Sequence, residues 1–445
     1  MIIIRLLQYL TTYQLVALTF LMLIFTGTGF LMHPIACVNG ISLPFIDALF
    51  TATSAVCVTG LVVVDTGTYF SLFGQTVILI LIQLGGLGIM TFATLISVAI
   101  GKKINLRERL LIQETLNQEH FSGVVRLALH VVKYTFLIEF IFGSILAFHL
   151  YPKYGFNAVY MGYWHAVSAF CNAGFDLFGN FDSLVNFKGD VVVNICMMSL
   201  IILGGLGFIV LEDMLIKRNF KSLTAHSKIV LISSAILIFG GTISLWLMEH
   251  NNIYTIANLS PIDQWMTCMF QSVTARTAGF NTLAIENMHG SSLLFLLILM
   301  LIGASPTSTG GGVKTTTAVV VLMSVWSLLH EKNDIVIFER KISKKAVNKA
   351  FAIFVLALFL VSCVTLLICA IDNIPVIQVL FEVVSAFGTV GLSVGITRDL
   401  SEVSKLLLVL TMYAGRVGVI TFAMLLLQKP RPDKVKYPEV KVIIG

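Results

Sequence analysis

The chain has 445 residues, 57% of them hydrophobic and only 12% charged, with a mean hydropathy of +0.93 and a formal net charge of +6. That composition leaves too little polar surface to cover a water-facing core. It excludes a soluble globular protein, a disordered chain and a nucleic-acid reader, and leaves an integral membrane protein.

Long apolar runs, each able to cross roughly 30 Å of hydrocarbon with about 20 helical residues, lie near Leu15–Met32, Leu72–Ile100, Leu127–Leu150 and Val191–Leu211. Further runs follow near Ile229–Met248, Leu293–Leu329 with an interruption, Ala350–Ile371 and Leu406–Leu427. The opening MIIIRLLQYLTTYQ has no small-residue cleavage pattern, so it is expected to be retained. Eight spanning helices return both termini to one side. Basic residues cluster at Arg5, Lys102 to Arg126, Lys217 to Lys228, Lys332 to Lys349 and Lys429 to Lys441, each beside an apolar run. The positive-inside rule assigns these blocks, and both termini, to the cytoplasm of a multi-pass cell-membrane protein.

The intervening polar stretches carry Asp47, Asp65, Asp176, Asp182, Asp190, Glu249, Asp263, Glu286, Asp372, Asp399 and Glu402 against Lys153, Lys188, Arg398 and Lys405. Two readings stand: an acidic outer face that concentrates cations, or simple topological depletion of basic residues. The seven cysteines (Cys37, Cys57, Cys171, Cys196, Cys268, Cys363 and Cys369) form no CxxC pair, which argues against a zinc site or disulfide framework.

Between paired long runs sit shorter apolar segments closed by glycine: Phe45–Gly60, Tyr163–Gly174, Trp265–Gly279 and Val376–Gly391. These are too short to cross a bilayer as helices, so they are predicted to be re-entrant. Their last eight residues align as TSAVCVTG, VSAFCNAG, SVTARTAG and VSAFGTVG, spaced at about a quarter of the chain. The predicted fold is therefore an all-α membrane protein with four pseudo-repeats of helix, re-entrant pore loop, helix around one central pore. The repeats span residues 1–101, 102–216, 217–330 and 331–428, followed by a tail over 429–445. Gly85-Gly86-Leu87-Gly88 also matches Gly204-Gly205-Leu206-Gly207, with Gly415-Arg416-Val417-Gly418 in the equivalent place. Taken alone, such glycines read as helix-packing motifs.

Ser42-Leu43-Pro44, Ser260-Pro261 and Asn373-Ile374-Pro375 carry helix-start chemistry, while the copy near Asn157 lacks proline. Short helices running inward direct four partially negative C-termini at the centre, which favours a cation there. Beyond them come Val58-Thr59-Gly60, Asn172-Ala173-Gly174, Thr277-Ala278-Gly279 and Thr389-Val390-Gly391. Glycine permits backbone angles that turn carbonyls toward an ion, and carbonyl rings suit a monovalent ion rather than Ca²⁺ or Mg²⁺.

Thr389-Val390-Gly391 reproduces the start of the potassium-channel filter motif, and the other strings are degenerate copies of it. On these motifs and the fourfold architecture, from about Leu15 to Leu427, the chain resembles the Trk/Ktr/HKT family of cation transporters. The resemblance implies that Gly60, Gly174, Gly279 and Gly391 mark a selectivity filter whose backbone carbonyls hold K⁺. It further implies that glycine rather than serine in the first copy goes with potassium.

The third repeat is interrupted by Gly303-Ala304-Ser305-Pro306-Thr307-Ser308-Thr309-Gly310-Gly311-Gly312-Val313-Lys314, which cannot continue a helix. It resembles the family's intramembrane loop, which obstructs the pore at rest. A phosphate-binding loop is the competing reading, but Val313 separates Gly312 from Lys314 and no strand precedes. Arg416 replaces an aligned glycine within an apolar helix, where a charge is functional or paired. One reading makes it a positive barrier facing the pore, the other pairs it with a buried carbonyl or acid. Arg276 and Glu382 read as local supports of the filter. Lys133 and Glu139, on one membrane helix, are a weak proton-path candidate. His33, His130, His149, His165, His226, His250, His289 and His330 form no HExxH pattern and sit mostly near predicted helix ends.

The expected function is potassium or monovalent-cation uptake, gated by the loop and Arg416, with no enzymatic step and no covalent cofactor. A secondary transporter coupling K⁺ or Na⁺ to another ion, and a membrane protein that transports nothing, are the rival classes. The resemblance implies a homodimer in the lipid bilayer, bound to a cytoplasmic ring of RCK-type subunits, and ATP or ADP is expected only on that partner. The basic tail either serves such contacts or meets anionic lipid headgroups.

Overall fold

The computed structural model describes residues 12–88, 124–332 and 334–426. Arg5, most of the basic block from Lys102 and the tail from Lys429 lie outside the described residues. Among the described residues the regular structure is helical apart from one hairpin, and the helices recur in a fixed order: a long helix, a short helix, an extended return, and a second helix.

The first unit comprises α1 (Thr12–Leu31), α2 (Phe45–Val56) and α3 (Leu72–Leu87). The second comprises α4 (Val124–Tyr154), α5 (Asn157–Phe170), α6 (Val191–Leu206) and α7 (Phe208–Lys217). In the third, α8 (Ala225–Glu249) and α9 (Pro261–Thr274) precede α10 (Gly290–Leu301) and α11 (Thr315–Leu329). The hairpin of β1 (Val336–Ile337) and β2 (Arg340–Lys341) leads to the fourth unit. That unit holds α12 (Lys344–Asp372), α13 (Val376–Gly388), α14 (Glu402–Val417) and α15 (Val419–Leu426).

Among the described residues, four helices are long and apolar enough to cross a membrane: they are the first helices of the four units, α1, α4, α8 and α12. Their outward faces expose Phe25, Phe148, Phe239 and Phe359, apolar surface that hydrocarbon rather than water would cover. The short helices occupy the interior, where Phe50, Trp164, Phe270 and Phe381 are fully buried. This arrangement places short helices inside and long helices outside, as expected of a multi-pass membrane protein built around an axis.

The second helices depart from the expected unbroken spans. Each of α3, α6 and α14 has 16 residues, reaching about 24 Å at 1.5 Å per residue. They stop at Gly88, Gly207 and Gly418, whose φ angles of 82°, 92° and 97° no helix can adopt. After Gly207 the chain turns by 96° into α7. A stop is thus not confined to the third repeat: α3, α6 and α14 each end at a glycine, and the third unit has the longer 302–314 segment.

Helix starts also differ in part from the sequence reading. Ser260 caps α9 by accepting from Asp263 N–H at 3.2 Å, with Pro261 in the first turn. Pro44 and Pro375 themselves occupy the N-cap positions of α2 and α13 and have no side-chain cap. Asn373, expected at the start of α13, instead closes α12 in the left-handed conformation that asparagine tolerates, at φ 55°. Lys405 and Asp47, paired at 2.9 Å, join the fourth unit to the first where their helices begin.

Candidate functional site

Each short helix ends within a few residues of its closing glycine, and the four returns share one unusual backbone. Val58 and Gly60 have φ angles of 57° and 91°, Asn172 and Gly174 of 57° and 72°. Thr277 and Gly279 have 76° and 80°, and Thr389 and Gly391 have 50° and 94°. The residue between each pair stays at negative φ. An extended strand points successive carbonyls to opposite sides, whereas alternating left- and right-handed angles turn them to the same side. Left-handed angles cost a non-glycine residue roughly 1–2 kcal/mol, so this pattern persists only where the surroundings enforce it.

The four returns meet. A Cβ on Gly60 would lie 2.6 Å from the Ala173 carbonyl oxygen, and one on Gly174 would lie 2.7 Å from that of Ala278. One on Gly279 would lie 2.5 Å from the Val390 oxygen, and one on Gly391 would strike the Thr59 oxygen. The contacts close a cycle through all four units, so the glycines form a ring about one axis. The oxygens involved belong to the residue before each glycine.

Hydroxyls at the helix ends hold these returns. Ser54 and Ser385 each accept the N–H of their closing glycine at 3.0 Å. In the other two units Ser168 and Thr274 donate to the carbonyls of Phe175 and Phe280, at 2.7 and 2.6 Å. Ser54, Ser168 and Ser385 stand at the same offset from their glycines, and the third unit uses the next residue along. Arg276 donates to Ser234 at 3.0 Å, tying the third return to α8.

At the inner end of the ring, Asn172 donates to Thr277 Oγ1 at 3.1 Å. Against it lies the segment Gly303–Lys314, which bonds to the second and fourth units, packs on the third return, and reaches the first unit through Arg416. Gly311 N–H donates to Thr389 Oγ1 at 2.8 Å, and Gly310 packs on the Thr277 side chain. Ser305 N–H donates to Gly205 O at 3.1 Å, Thr309 N–H to Gly204 O at 3.3 Å, and Gly312 N–H to Gly415 O at 3.3 Å. Lys314 Nζ caps the segment's own Gly310 carbonyl at 2.5 Å. Ala304, Thr309 and Val313 are buried, Pro306, Thr307 and Ser308 half-buried, with Ser308 donating to Ser305 O at 2.6 Å.

Arg416 completes this layer. Its guanidinium donates to the Thr309 carbonyl, to Gly85 O at 2.5 Å and to Gly86 O at 3.1 Å. Among the described residues the charge therefore meets backbone carbonyls and no carboxylate. The Gly85 and Gly86 carbonyls are free because a helix leaves its last C=O groups unpaired, and α3, α6 and α14 all end here. The glycine doublets also permit close packing: Cβ atoms on Gly85, Gly204 and Gly415 would overlap the carbonyl oxygens of Val56, Phe170 and Phe387, at the ends of α2, α5 and α13. The packing reading of these motifs and a role in receiving the loop thus hold together. A cavity of about 640 Å³ opens below the segment, lined in part by Lys314, Lys345, Lys349 and Arg416.

The remaining candidates separate. Glu139 is buried and accepts from Gln83 at 3.0 and 3.1 Å, while Lys133 is exposed, so the two face different surroundings. His165 lies in the middle of α5, not at a helix end, and contacts the second return directly. No signal in the sequence marks this contact, which exists only because the fold brings residues 165 and 177 together.

Comparison with known proteins identifies the class. The model of the TrkH family, described as cation transport proteins, matches residues 7–437. The chain is 42% identical over 433 residues to "Ktr system potassium uptake protein B" of Bacillus subtilis (strain 168), covering 97% of this chain and 96% of that protein. It is 38% identical over 448 residues to "Potassium/sodium uptake protein NtpJ" of Enterococcus hirae, covering 99% of each. The fold superposes with a TM-score of 0.72 on the crystal structure of the potassium transporter TrkH from Vibrio parahaemolyticus, at 18% identity, covering 94% of this chain and 86% of that one. Fold and relatives define a multi-pass membrane transport protein rather than an enzyme. The chain belongs to the TrkH family of cation transport proteins.

Proposed function

We propose that this protein takes up potassium through the glycine ring, with Val58, Thr59, Gly60, Asn172, Ala173, Gly174, Thr277, Ala278, Gly279, Thr389, Val390 and Gly391 forming its selectivity filter. The observation that carries this reading is the closed cycle of contacts among the four glycines, with the same alternation of φ in every unit. Carbonyl oxygens aimed at one axis replace the hydration shell of an alkali ion without demanding a formal charge. The C-terminal ends of α2, α5, α9 and α13 add partial negative charge toward the same point. The names of the relatives, which specify potassium or potassium and sodium, support the substrate class.

In this reading Gly303–Lys314 is the gate, lying across the inner end of the filter, and Arg416 is its latch. Opening requires the Arg416 bonds to Thr309, Gly85 and Gly86 to be exchanged for water or ion contacts. The charge blocks at Lys217–Lys228 and Lys332–Lys349 face the cytoplasm, as do both termini, and the four repeats divide near residues 101, 216 and 330. A membrane potential of 100 mV then contributes roughly 2.3 kcal/mol per charge toward uptake. The chain acts as a homodimer under control of a cytoplasmic RCK-type ring that binds ATP or ADP. The word "system" in the relatives' names supports such a partner.

Purified protein in liposomes, assayed for K⁺ and Na⁺ flux at an imposed voltage, tests this. Voltage-driven K⁺ flux exceeding Na⁺ flux is expected. Equal fluxes, or flux that appears only with a second ion gradient, would replace filter-based uptake with unselective or coupled transport.

A further inference from the structure

Nine residues before each closing glycine stand Thr51, His165, Phe270 and Glu382, one in each short helix. Three residues after each glycine stand Val63, Leu177, Thr282 and Val394. In two units these positions are bonded. His165 Nε2 accepts from Leu177 N–H at 3.1 Å, and Glu382 Oε1 accepts from Val394 N–H at 3.1 Å. Both acceptors are at most 2% exposed.

Each acceptor is itself fixed. His165 Nδ1 lies 2.7 Å from the Met161 carbonyl, which can only accept. Nδ1 therefore carries the proton, and Nε2 is left as the acceptor that Leu177 needs. The ring also stacks on Phe178 at 4.3 Å between centroids. Glu382 receives Ser393 Oγ at 2.5 Å and Thr397 Oγ1 at 2.8 Å. Histidine and glutamate differ in charge and shape but share the feature used here, an acceptor at the same offset behind the return.

The other two units lack this brace. Thr51 turns its hydroxyl onto its own helix, donating to Asp47 O at 2.8 Å, and Phe270 has no polar atom. The third return is tied instead from outside, through Leu184 N–H to Asn281 O at 3.0 Å. The contact cycle runs through units one, two, three and four in order, so the braced pair lies opposite one another across the axis.

We propose that His165 and Glu382 are a matched pair of positioning residues that fix two opposite walls of the filter from behind, giving a fourfold sequence repeat a twofold mechanical support. Ion discrimination depends on this pair, whereas the equivalent positions in the first and third units carry only packing. The inference rests on the filter reading above.

The test measures the K⁺/Na⁺ flux ratio in liposomes for wild type, His165→Met, Glu382→Met, His165→Gln, Glu382→Gln, and the controls Thr51→Val and Phe270→Leu. Methionine fills the volume without the acceptor. Glutamine places an oxygen near the position of the lost acceptor. Each methionine variant should lower the ratio by about fivefold or more, the factor that corresponds to loss of the one buried bond from the return N–H that the two acceptors share. The glutamine variants and both controls should stay within about twofold of wild type.

Equal loss at all four positions, or thermal destabilisation with an unchanged ion ratio, would overturn the proposal while a selective wild type leaves the filter reading standing. An unselective wild type would overturn the filter reading itself, and the brace with it. Should methionine prevent insertion, glutamine decides: a retained ratio supports the brace, and a fivefold loss contradicts it.

Discussion

Gly391 shows why this ring admits little substitution. Its φ of 94° lies in the region that L side chains rarely adopt, and a Cβ would strike the Thr59 oxygen of the neighbouring unit. Gly391→Ser adds roughly 1–2 kcal/mol of backbone strain before any steric term. We expect the K⁺/Na⁺ flux ratio to fall by at least about tenfold, with membrane insertion intact by gel filtration in detergent. Arg416 presents the opposite case, a side chain whose removal should release function. Hydrogen bonds to a charged group contribute about 1.5–3 kcal/mol each, and Arg416 makes three to carbonyls of two other units. Arg416→Ala should raise rubidium-tracer uptake by about tenfold or more at an unchanged ion ratio. Arg416→Lys should fall between, because a point charge cannot reproduce the planar fork.

At the scale of elements, the segment from Gly303 to Lys314 is held almost wholly by backbone groups. Its N–H donors at residues 305, 309 and 312 meet carbonyls of α6 and α14 that end at glycine breaks. Deleting Gly310–Gly312 removes the Gly311 bond to Thr389 and the Gly312 bond to Gly415, leaving the glycine ring untouched. The expected result is a several-fold rise in flux with the K⁺/Na⁺ ratio within about twofold of wild type. A parallel loss of selectivity would place the segment within the filter. This layer was only half legible in the sequence. Proline and three successive glycines announce the third break, whereas Gly85-Gly86-Leu87-Gly88 lies within an apolar run whose hydropathy continues past the stop. The break depends on one φ angle at Gly88, and hydropathy carries no information about φ.

Over the whole molecule, the repeat was the most legible feature, because Gly60, Gly174, Gly279 and Gly391 recur within eight-residue windows that resemble one another. The alignment placed these glycines in equivalent positions, and the structure brings them into one cycle. Their supports were legible only where chemistry repeats. Ser54, Ser168 and Ser385 align visibly, but His165 and Glu382 share a geometric task without sharing a residue type. Arg416 stood out as a charge in an apolar helix, yet its carbonyl partners come from Gly85, Gly86 and Thr309, hundreds of residues earlier in the chain or on the loop. Only the fold reveals that three helices ending at glycines leave acceptors at one depth.

The central claim is that four units aim backbone oxygens at a single alkali ion on a shared axis. Anomalous diffraction from crystals grown in rubidium tests it most directly. The account predicts rubidium density on the axis, bounded by the carbonyls of Thr59, Ala173, Ala278 and Val390. Rubidium bound only away from that ring, at acidic side chains or in the basic cavity, would contradict it.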